Sequence, residues 1–145
     1  MPFPADVKKV IDDAWVDGYP CVLGTMGKKG PNISPKGSLF VYDDNHFAYW
    51  ERAKMKALEN LGRDNRVVVC YPRKGFTLGE LNGYWRFYGT AEVHESGPLR
   101  DEIYARLVQR EQDRAEKDGA GIDTGGVAVL ITIESSADSR GVPIM

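Results

Sequence analysis

Six short runs of β-branched and aromatic residues, joined mostly by turns rich in Gly, Pro and Asn, constrain the fold of this chain most strongly. The runs are "YPCVLGTMG", "ISPKGSLFVY", "HFAYW", "NRVVVCY", "YWRFYGTAEV" and "GVAVLITIE". Short turns between such runs predict antiparallel pairing. Apolar spacing predicts helices over residues 5–17, around 53–63 and from Pro98 onward. We therefore expect a mainly β (α+β) fold, a six-stranded antiparallel β-barrel with flanking helices, although periodicity alone also allows an open α+β sheet.

Length and charge restrict the organisation and the partners. A chain of 145 residues with 42% hydrophobic residues predicts one domain over residues 1–145, with a polar tail from about 135. Its formal charge of −2 gives no general electrostatic reason to bind nucleic acid or an anionic membrane. The opening "MPFPADVKKVIDDAW" lacks the apolar core of a signal peptide, so we expect a soluble, cytoplasmic protein.

The cysteines and histidines do not form a metal motif. Cys21 and Cys70 both lie in apolar runs, which is typical of buried, unpaired thiols. His46 and His94 are far apart and lack ligand spacing, so we interpret them as ordinary strand residues and expect no metal. The charged stretch "QREQDRAEKDG" predicts a solvated end to the helix that begins at Pro98.

Pro35 and Gly37 interrupt the second predicted strand. Pro35 has no amide donor and Gly37 has no side chain, so continuous pairing is not expected there. The interruption is compatible with a simple edge bulge or with a backbone segment that faces a flat ligand closely.

Three cations precede or begin the helix predicted around 53–63. Arg52, Lys54 and Lys56 would add positive charge to a helix N-terminus that already carries about half a positive charge. A bound phosphate would neutralise these side chains and accept hydrogen bonds from the free amides of the first turn. We therefore predict an anion site there, with a solvated cationic face as the alternative.

Taken together, these segments resemble the FMN-binding split barrels related to pyridoxamine 5′-phosphate oxidase. "GTMGKKGPNISPKG" resembles the first hairpin of that family, "FAYWERAKMKALENLGRDNRVVVCY" its phosphate-binding strand–helix–strand, and "WRFYGTAEV" its long strand. The resemblance spans roughly residues 5–134 and implies a split β-barrel, FMN as cofactor and a homodimer with the cofactor at the interface.

The resemblance also implies a set of cofactor-binding residues. The isoalloxazine would be lined by Pro35, Lys36, Gly37 and Ser38, and the ring or ribityl chain would be flanked by Tyr49, Trp50 and Glu51. The phosphate would be held by Lys56, next to Ala57, with Arg52 and Lys54 nearby, and the partner subunit would contribute Trp85 and Arg86.

Several functions remain open at this point. The resemblance implies an FMN-dependent oxidoreductase acting on a small molecule, with Lys36 either as a cation that tunes the flavin or as a solvent-facing lysine in a bulge. A flavin carrier or redox sensor is the second hypothesis, and a deazaflavin, with Arg73 and Lys74 meeting its acidic tail, is a variant. "SADSRGVPIM" stands where pyridoxamine phosphate oxidase has its substrate-binding arginine and histidine, so pyridoxal phosphate synthesis is not expected.

An oligonucleotide-binding barrel is a third possibility. Tyr84, Trp85, Phe87 and Tyr88 would offer stacking surfaces to bases. Strand alternation would bury some of these rings, however, and the sequence lacks a basic track. We therefore expect no nucleic-acid partner.

Overall fold

The described residues form seven strands in one antiparallel sheet and four helices. The structure, a computed structural model, describes residues 2–52, 56–72 and 83–145, with only the backbone at Lys56. In chain order its elements are α1 (Ala5–Asp12), β1 (Val22–Gly27), β2 (Gly30–Pro35), β3 (Phe40–Val41), β4 (His46–Glu51), α2 (Lys56–Arg63), β5 (Arg66–Tyr71), β6 (Trp85–His94), α3 (Pro98–Arg106), α4 (Gln109–Lys117) and β7 (Val127–Asp138).

The sheet follows the order β2-β1-β5-β6-β7-β4-β3. Neighbouring strands are antiparallel throughout, and β6 and β7 make the longest ladder, with a shift in register between Tyr88 and Gly89. The two edge strands, β2 and β3, follow each other in sequence and are joined by residues 36–39. The chain therefore crosses from one edge of the sheet to the other through this short segment.

The sheet curls around a common interior, as the barrel prediction requires. Leu23, Val41, Phe47, Val69 and Phe87 come from five different strands and belong to one buried cluster. Phe3, which precedes α1, stacks on Phe47 with 4.9 Å between ring centroids. Val41 lies on the edge strand β3 and Leu23 on β1, next to the opposite edge, and a flat sheet would not bring these side chains into one cluster, so the split-barrel arrangement is confirmed.

The count of six strands was wrong. The predicted strand "ISPKGSLFVY" is two strands, β2 and β3, separated at residues 36–39. Pro35 ends β2 because it has no amide donor to continue the ladder, and the chain then turns, with the Leu39 amide donating to the Lys36 carbonyl. The interruption read from the sequence is thus a complete break.

Two helix predictions also need correction. The first helix ends at Asp12, and turns continue to Gly18, whose φ of 82° stops the segment. The charged stretch after α3 is a separate packed helix, α4, because Leu107 and Val108 are extended. Ala115 of α4 is fully buried against the cluster that contains Trp50 and Ile103. No helix among the described residues is long and apolar enough to span a membrane.

The polar tail is shorter than predicted. Strand β7 extends to Asp138, because its residues 135–138 pair with residues 85–88 of β6. The Asp138 carboxylate then accepts from the amides of Arg140 and Val142, which folds the following turn back onto the strand.

Candidate functional site

The crossing segment 36–39 forms one wall of a cleft. The Lys36 amide donates to the Cys21 carbonyl at 2.9 Å, which fixes the start of the segment against the residue before β1. A Cβ atom at Gly37 would lie 2.9 Å from Cε3 of Trp15 and 3.4 Å from a carboxylate oxygen of Glu111. Glycine is therefore needed at residue 37 because an aromatic ring packs directly against the backbone.

The end of β4 forms the opposite wall. Ser38 is tied to it through its hydroxyl group, which accepts from the Trp50 amide at 3.0 Å and lies 3.2 Å from the Trp50 carbonyl as a donor. The indole of Trp50 is almost fully buried, and its Nε1 donates to the Ala120 carbonyl at 2.7 Å. Both walls are thus held in place by hydrogen bonds that a ligand does not need to supply.

Lys36 and Glu51 form a buried ion pair between the two walls. Their charged atoms are 2.9 Å apart, and only 11% and 8% of the two side chains are exposed. The Lys36 ammonium also lies 5.1 Å from the centroid of the Tyr49 ring. The alternative of a solvent-facing lysine in a bulge is therefore wrong, because the carboxylate and the aromatic face hold the ammonium inside the protein.

Tyr49 lies beneath this ion pair and does not line the cleft. Strand alternation directs its ring into the barrel core, where it is fully buried, and directs Trp50 to the other face. The Tyr49 hydroxyl group has no hydrogen-bond partner among the described residues. Burial, and then the nearby Glu51 charge, raise the pKa of this phenol well above its usual range, so it is neutral.

Helix α4 forms the roof of the cleft with two carboxylates that sequence reasoning missed. Glu111 is 3% exposed, and its Oε1 lies 3.3 Å from Nε of Arg110 and 3.8 Å from Nη1 of Arg114. Asp118, directly after α4, pairs with Arg52 at 2.7 Å. The charged residues of this stretch are typical of a solvated helix, so these contacts were not predicted. The available signal was the four-residue spacing of Glu111 and Ala115, which places both on the buried face of α4.

These walls and the roof enclose a cleft of about 420 Å³. Its lining includes seven of the residues predicted to bind the cofactor, together with the two carboxylates from the α4 region: Pro35, Lys36, Gly37, Ser38, Trp50, Glu51, Arg52, Glu111 and Asp118. Lys36 and Arg52 bring two positive charges and the acidic residues bring three negative charges. The described part of the cleft therefore does not attract an anion by its charge balance alone.

The remaining predicted site residues that the structure describes do not line this cleft. Ala57 is buried in the first described turn of α2. Trp85 packs 5.5 Å from Tyr71, and Arg86 lies over Tyr84, near the opposite end of β7 from Trp50. Lys54 and the side chain of Lys56 lie outside the described residues, as do Arg73 and Lys74.

The histidines lie at strand ends, each beside a carboxylate. His46 is 2.7 Å from Asp43, and His94 is 3.2 Å from Glu92. The described segments contain no cluster of three or more His, Cys, Asp or Glu side chains that would hold a metal ion. Both cysteines are unpaired, but only Cys21 is buried as predicted, whereas Cys70 is half-buried; burial raises the pKa of the Cys21 thiol to about 12.

Known structures share this fold across nearly the whole chain. HupZ from group A Streptococcus has a TM-score of 0.68 at 20% identity, with 98% of each chain covered. A Clostridium acetobutylicum protein related to general stress protein 26, of the pyridoxinephosphate oxidase family, has a TM-score of 0.60 at 17% identity, with 89% of this chain and 87% of that chain covered. A heme binding protein from Mycobacterium smegmatis has a TM-score of 0.67 at 13% identity, with 97% of this chain and 56% of that chain covered.

Comparison at the sequence level assigns the family. No curated protein matches this sequence. The family model described as pyridoxamine 5′-phosphate oxidase matches residues 7–135, which include both walls of the cleft and its α4 roof. The chain therefore belongs to the pyridoxamine 5′-phosphate oxidase family of split barrels.

Proposed function

We propose that this protein binds FMN in the cleft between residues 35–38 and 50–52 and acts as an oxidoreductase on a small molecule. The supporting observation is that seven residues taken from two separate sequence segments line one cleft. Its volume of about 420 Å³ lies within the range of ~300–1,000 Å³ that small-molecule sites occupy. Family membership independently favours a flavin over other planar cofactors.

The residues of the cleft fit a flavin with its phosphate at the Arg52 end. Gly37 leaves the backbone open on one wall, and the Ser38 hydroxyl and Lys36 ammonium are polar groups suited to ring heteroatoms. Glu51 and Glu111 would repel a phosphate placed deeper in the cleft. Arg52 is the described cation at this end, and Lys54 and Lys56 follow it closely in the sequence, which favours this end for the phosphate.

FMN supplies hydride or electron transfer when bound, and the chain's own residues position it. Arg52 is placed to hold the phosphate, provided that the guanidinium leaves Asp118. Glu51 holds the Lys36 ammonium at one fixed place on the wall. Because the Glu51 carboxylate offsets the charge of the ammonium, Lys36 should stabilise an anionic reduced flavin less than an unpaired lysine would. The described lining residues include no histidine, and the carboxylates of Glu51, Glu111 and Asp118 each face a cation, so we expect proton exchange to rely on the ring and on water.

We also propose that two chains associate and that Trp85 and Arg86 of one chain approach the cofactor of the other. Within one chain, these two residues lie away from the cleft. An apolar surface on β1, β2 and β6 exposes Met26, Ile33 and Tyr88, and Ile33 is 74% exposed. Light scattering should give the mass of a dimer, and Ile33→Glu should shift this mass toward that of the monomer. If the unmutated protein is monomeric at micromolar concentration, Trp85 and Arg86 do not belong to the site.

A direct test compares three ligands. Apo-protein is titrated with FMN, riboflavin and hemin, because one structural neighbour is named a heme binding protein. We expect FMN to bind at least about tenfold more tightly than riboflavin, since charge-assisted hydrogen bonds to the phosphate contribute about 1.5 kcal/mol or more. Lys56→Ala should remove this preference, and Lys9→Ala, on the exposed face of α1, is the matched control. Equal affinity for FMN and riboflavin, or saturable binding of hemin alone, would refute the flavin assignment.

A second experiment separates an enzyme from a carrier or sensor. The FMN-loaded protein is mixed with NADH or NADPH in a stopped-flow instrument, and the reduced protein is then mixed with quinones, nitro compounds or oxygen. An oxidoreductase should react faster than free FMN in at least one half-reaction. If neither half-reaction exceeds the rate of free FMN, the non-catalytic flavin carrier or redox sensor is the better assignment.

A further inference from the structure

A second cleft lies between the β1–β2 turn and helix α2. It has a volume of about 340 Å³ and is lined by residues 27–32 of the hairpin and by Glu59, Asn60 and Arg63 of α2. The proposed function uses none of these residues. The cleft is also distinct from the Lys36–Asp118 cleft, because the two share no lining residue.

The charge of this cleft is opposite to that of the whole chain. Lys28, Lys29 and Arg63 are positive, and Glu59 is the only carboxylate among the lining residues, so the cleft carries a net charge of +2 while the chain carries −2. No ion pair within 4.0 Å joins any of the three cations to a described carboxylate. By contrast, Lys8 pairs with Asp44 and Lys9 with Asp13.

The turn itself does not require lysines. Gly27 and Gly30 are paired across the hairpin, so Lys28 and Lys29 are the two residues of the loop. The backbone constraints fall on the glycines, because Gly30 has a φ of 131° and a Cβ at Gly27 would lie 2.7 Å from the Gly30 carbonyl. Two-residue loops ordinarily favour Asn, Asp or Gly, so turn formation does not explain two adjacent cations here.

A buried side chain holds the third cation in place. Asn60 is 3% exposed, its Nδ2 donates to the Thr25 hydroxyl group at 3.0 Å, and its Oδ1 accepts from Nη2 of Arg63 at 2.8 Å. This carboxamide therefore connects α2 to β1 and orients the guanidinium beside the hairpin. Arg63 has five N–H donors, and Asn60 uses one of them, so the others are left for a ligand. Because Asn60 already orders the guanidinium, ligand binding costs less side-chain entropy than it would with a free arginine.

We infer that this cleft, formed by Lys28, Lys29 and Arg63 with Asn60 as the residue that orients Arg63, binds a small ligand carrying a phosphate or diphosphate group. A planar guanidinium matches two phosphate oxygens, and the two ammonium groups supply point charges from the hairpin side. A multiply charged anion fits better than a single carboxylate, because it alone matches the net charge of +2. The source is either a free inorganic anion or the diphosphate of a nucleotide.

The test is a titration of the FMN-saturated protein with inorganic pyrophosphate and with ADP, followed by calorimetry and by amide chemical shifts. The double variant Lys28→Gln/Lys29→Gln keeps the glycines and the loop length. Its matched control is Lys8→Gln/Lys9→Gln, which removes the same charge from an adjacent exposed pair on α1. Circular dichroism checks that both variants fold.

We expect at least tenfold weaker pyrophosphate binding in the hairpin variant, less than a twofold change in the control, and shifts at the amides of Gly27 and Gly30. Affinity for ADP above that for pyrophosphate identifies a nucleotide site, and the reverse order identifies an inorganic anion site. The inference is overturned if the unmutated protein binds neither probe at millimolar concentration, or if both double variants weaken binding equally. Because FMN is already bound, neither result depends on the flavin proposal, and a protein that does not bind FMN is tested in its apo form.

Discussion

Asp118→Asn tests whether the acidic roof competes with the cofactor phosphate. In the structure the Asp118 carboxylate lies 2.7 Å from Arg52, the described cation at the proposed phosphate end of the cleft. A phosphate can use the Arg52 guanidinium fully only if this ion pair opens. Removing the carboxylate charge should therefore strengthen FMN binding and leave the binding of riboflavin, which has no phosphate, almost unchanged.

The size of the effect follows from the exposure of the pair. The Arg52 side chain is 29% exposed and that of Asp118 is 50% exposed, so solvent screens their attraction strongly. Partly exposed ion pairs of this kind contribute about 0.2–1 kcal/mol, which corresponds to roughly a 1.4- to 5-fold gain in affinity when the competitor is lost. The dianionic phosphate also avoids repulsion by Asp118, so we expect about two- to tenfold tighter FMN binding.

Fluorescence titration of apo-protein with FMN and riboflavin, at low and high salt, measures this directly. Asp113→Asn is the matched control, since Asp113 is exposed on the same helix, accepts a hydrogen bond from Gln109 and does not line the cleft. The gain should shrink at about 1 M salt, where the Debye length falls to about 3 Å. Unchanged or weaker FMN binding refutes the competition, and an equal change for both ligands shows that the variant disturbs the loop after α4 instead.

Two further predictions concern the scaffold. Gly89→Ala should destabilise the protein by about 3 kcal/mol or more, because the new Cβ would lie 1.9 Å from the Thr132 carbonyl oxygen. Gly62→Ala, in open space on α2, should instead stabilise it by about 0.5–1 kcal/mol. Denaturant unfolding of both variants checks this, and similar stabilities for the two would contradict it. Cys21 is 2% exposed and burial raises the pKa of its thiol to about 12, so iodoacetamide should modify it only after unfolding, and rapid native labelling detected by mass spectrometry would contradict its burial.

Local sequence was enough to predict most of the strands and the interruption at Pro35 and Gly37. The β-branched run "NRVVVCY" and the aromatic run "YWRFYGTAEV" became β5 and β6 because their alternation matches a half-buried sheet. The break at Pro35 and Gly37 was visible for a covalent reason, since proline has no amide donor and glycine has no Cβ. Such features act within a few residues and do not depend on how the sheet closes.

Long-range contacts account for what the sequence did not predict. Lys36 is buried because Glu51, fifteen residues later, reaches it across the break between β2 and β3. A local sequence pattern cannot predict that a lysine is buried when its ion-pair partner comes close only in the folded barrel. Helix α4 was missed for a related reason: its buried face consists of Glu111 and Ala115, which carry little hydrophobic signal, and its roof position depends on the extended residues 107 and 108.

The two proposed phosphate sites differ in what the chain must give up to bind an anion. At Arg52 an existing ion pair with Asp118 has to open, and Glu51 and Glu111 lie nearby, so part of the electrostatic gain from the phosphate is offset. At Lys28, Lys29 and Arg63 no described ion pair has to open, so binding gains the full attraction but depends on few other contacts. Affinity for pyrophosphate at the hairpin should therefore fall more steeply with salt than affinity for FMN in the cleft. Parallel salt dependences for the two ligands would mean that the Asp118 carboxylate does not offset the charge of Arg52.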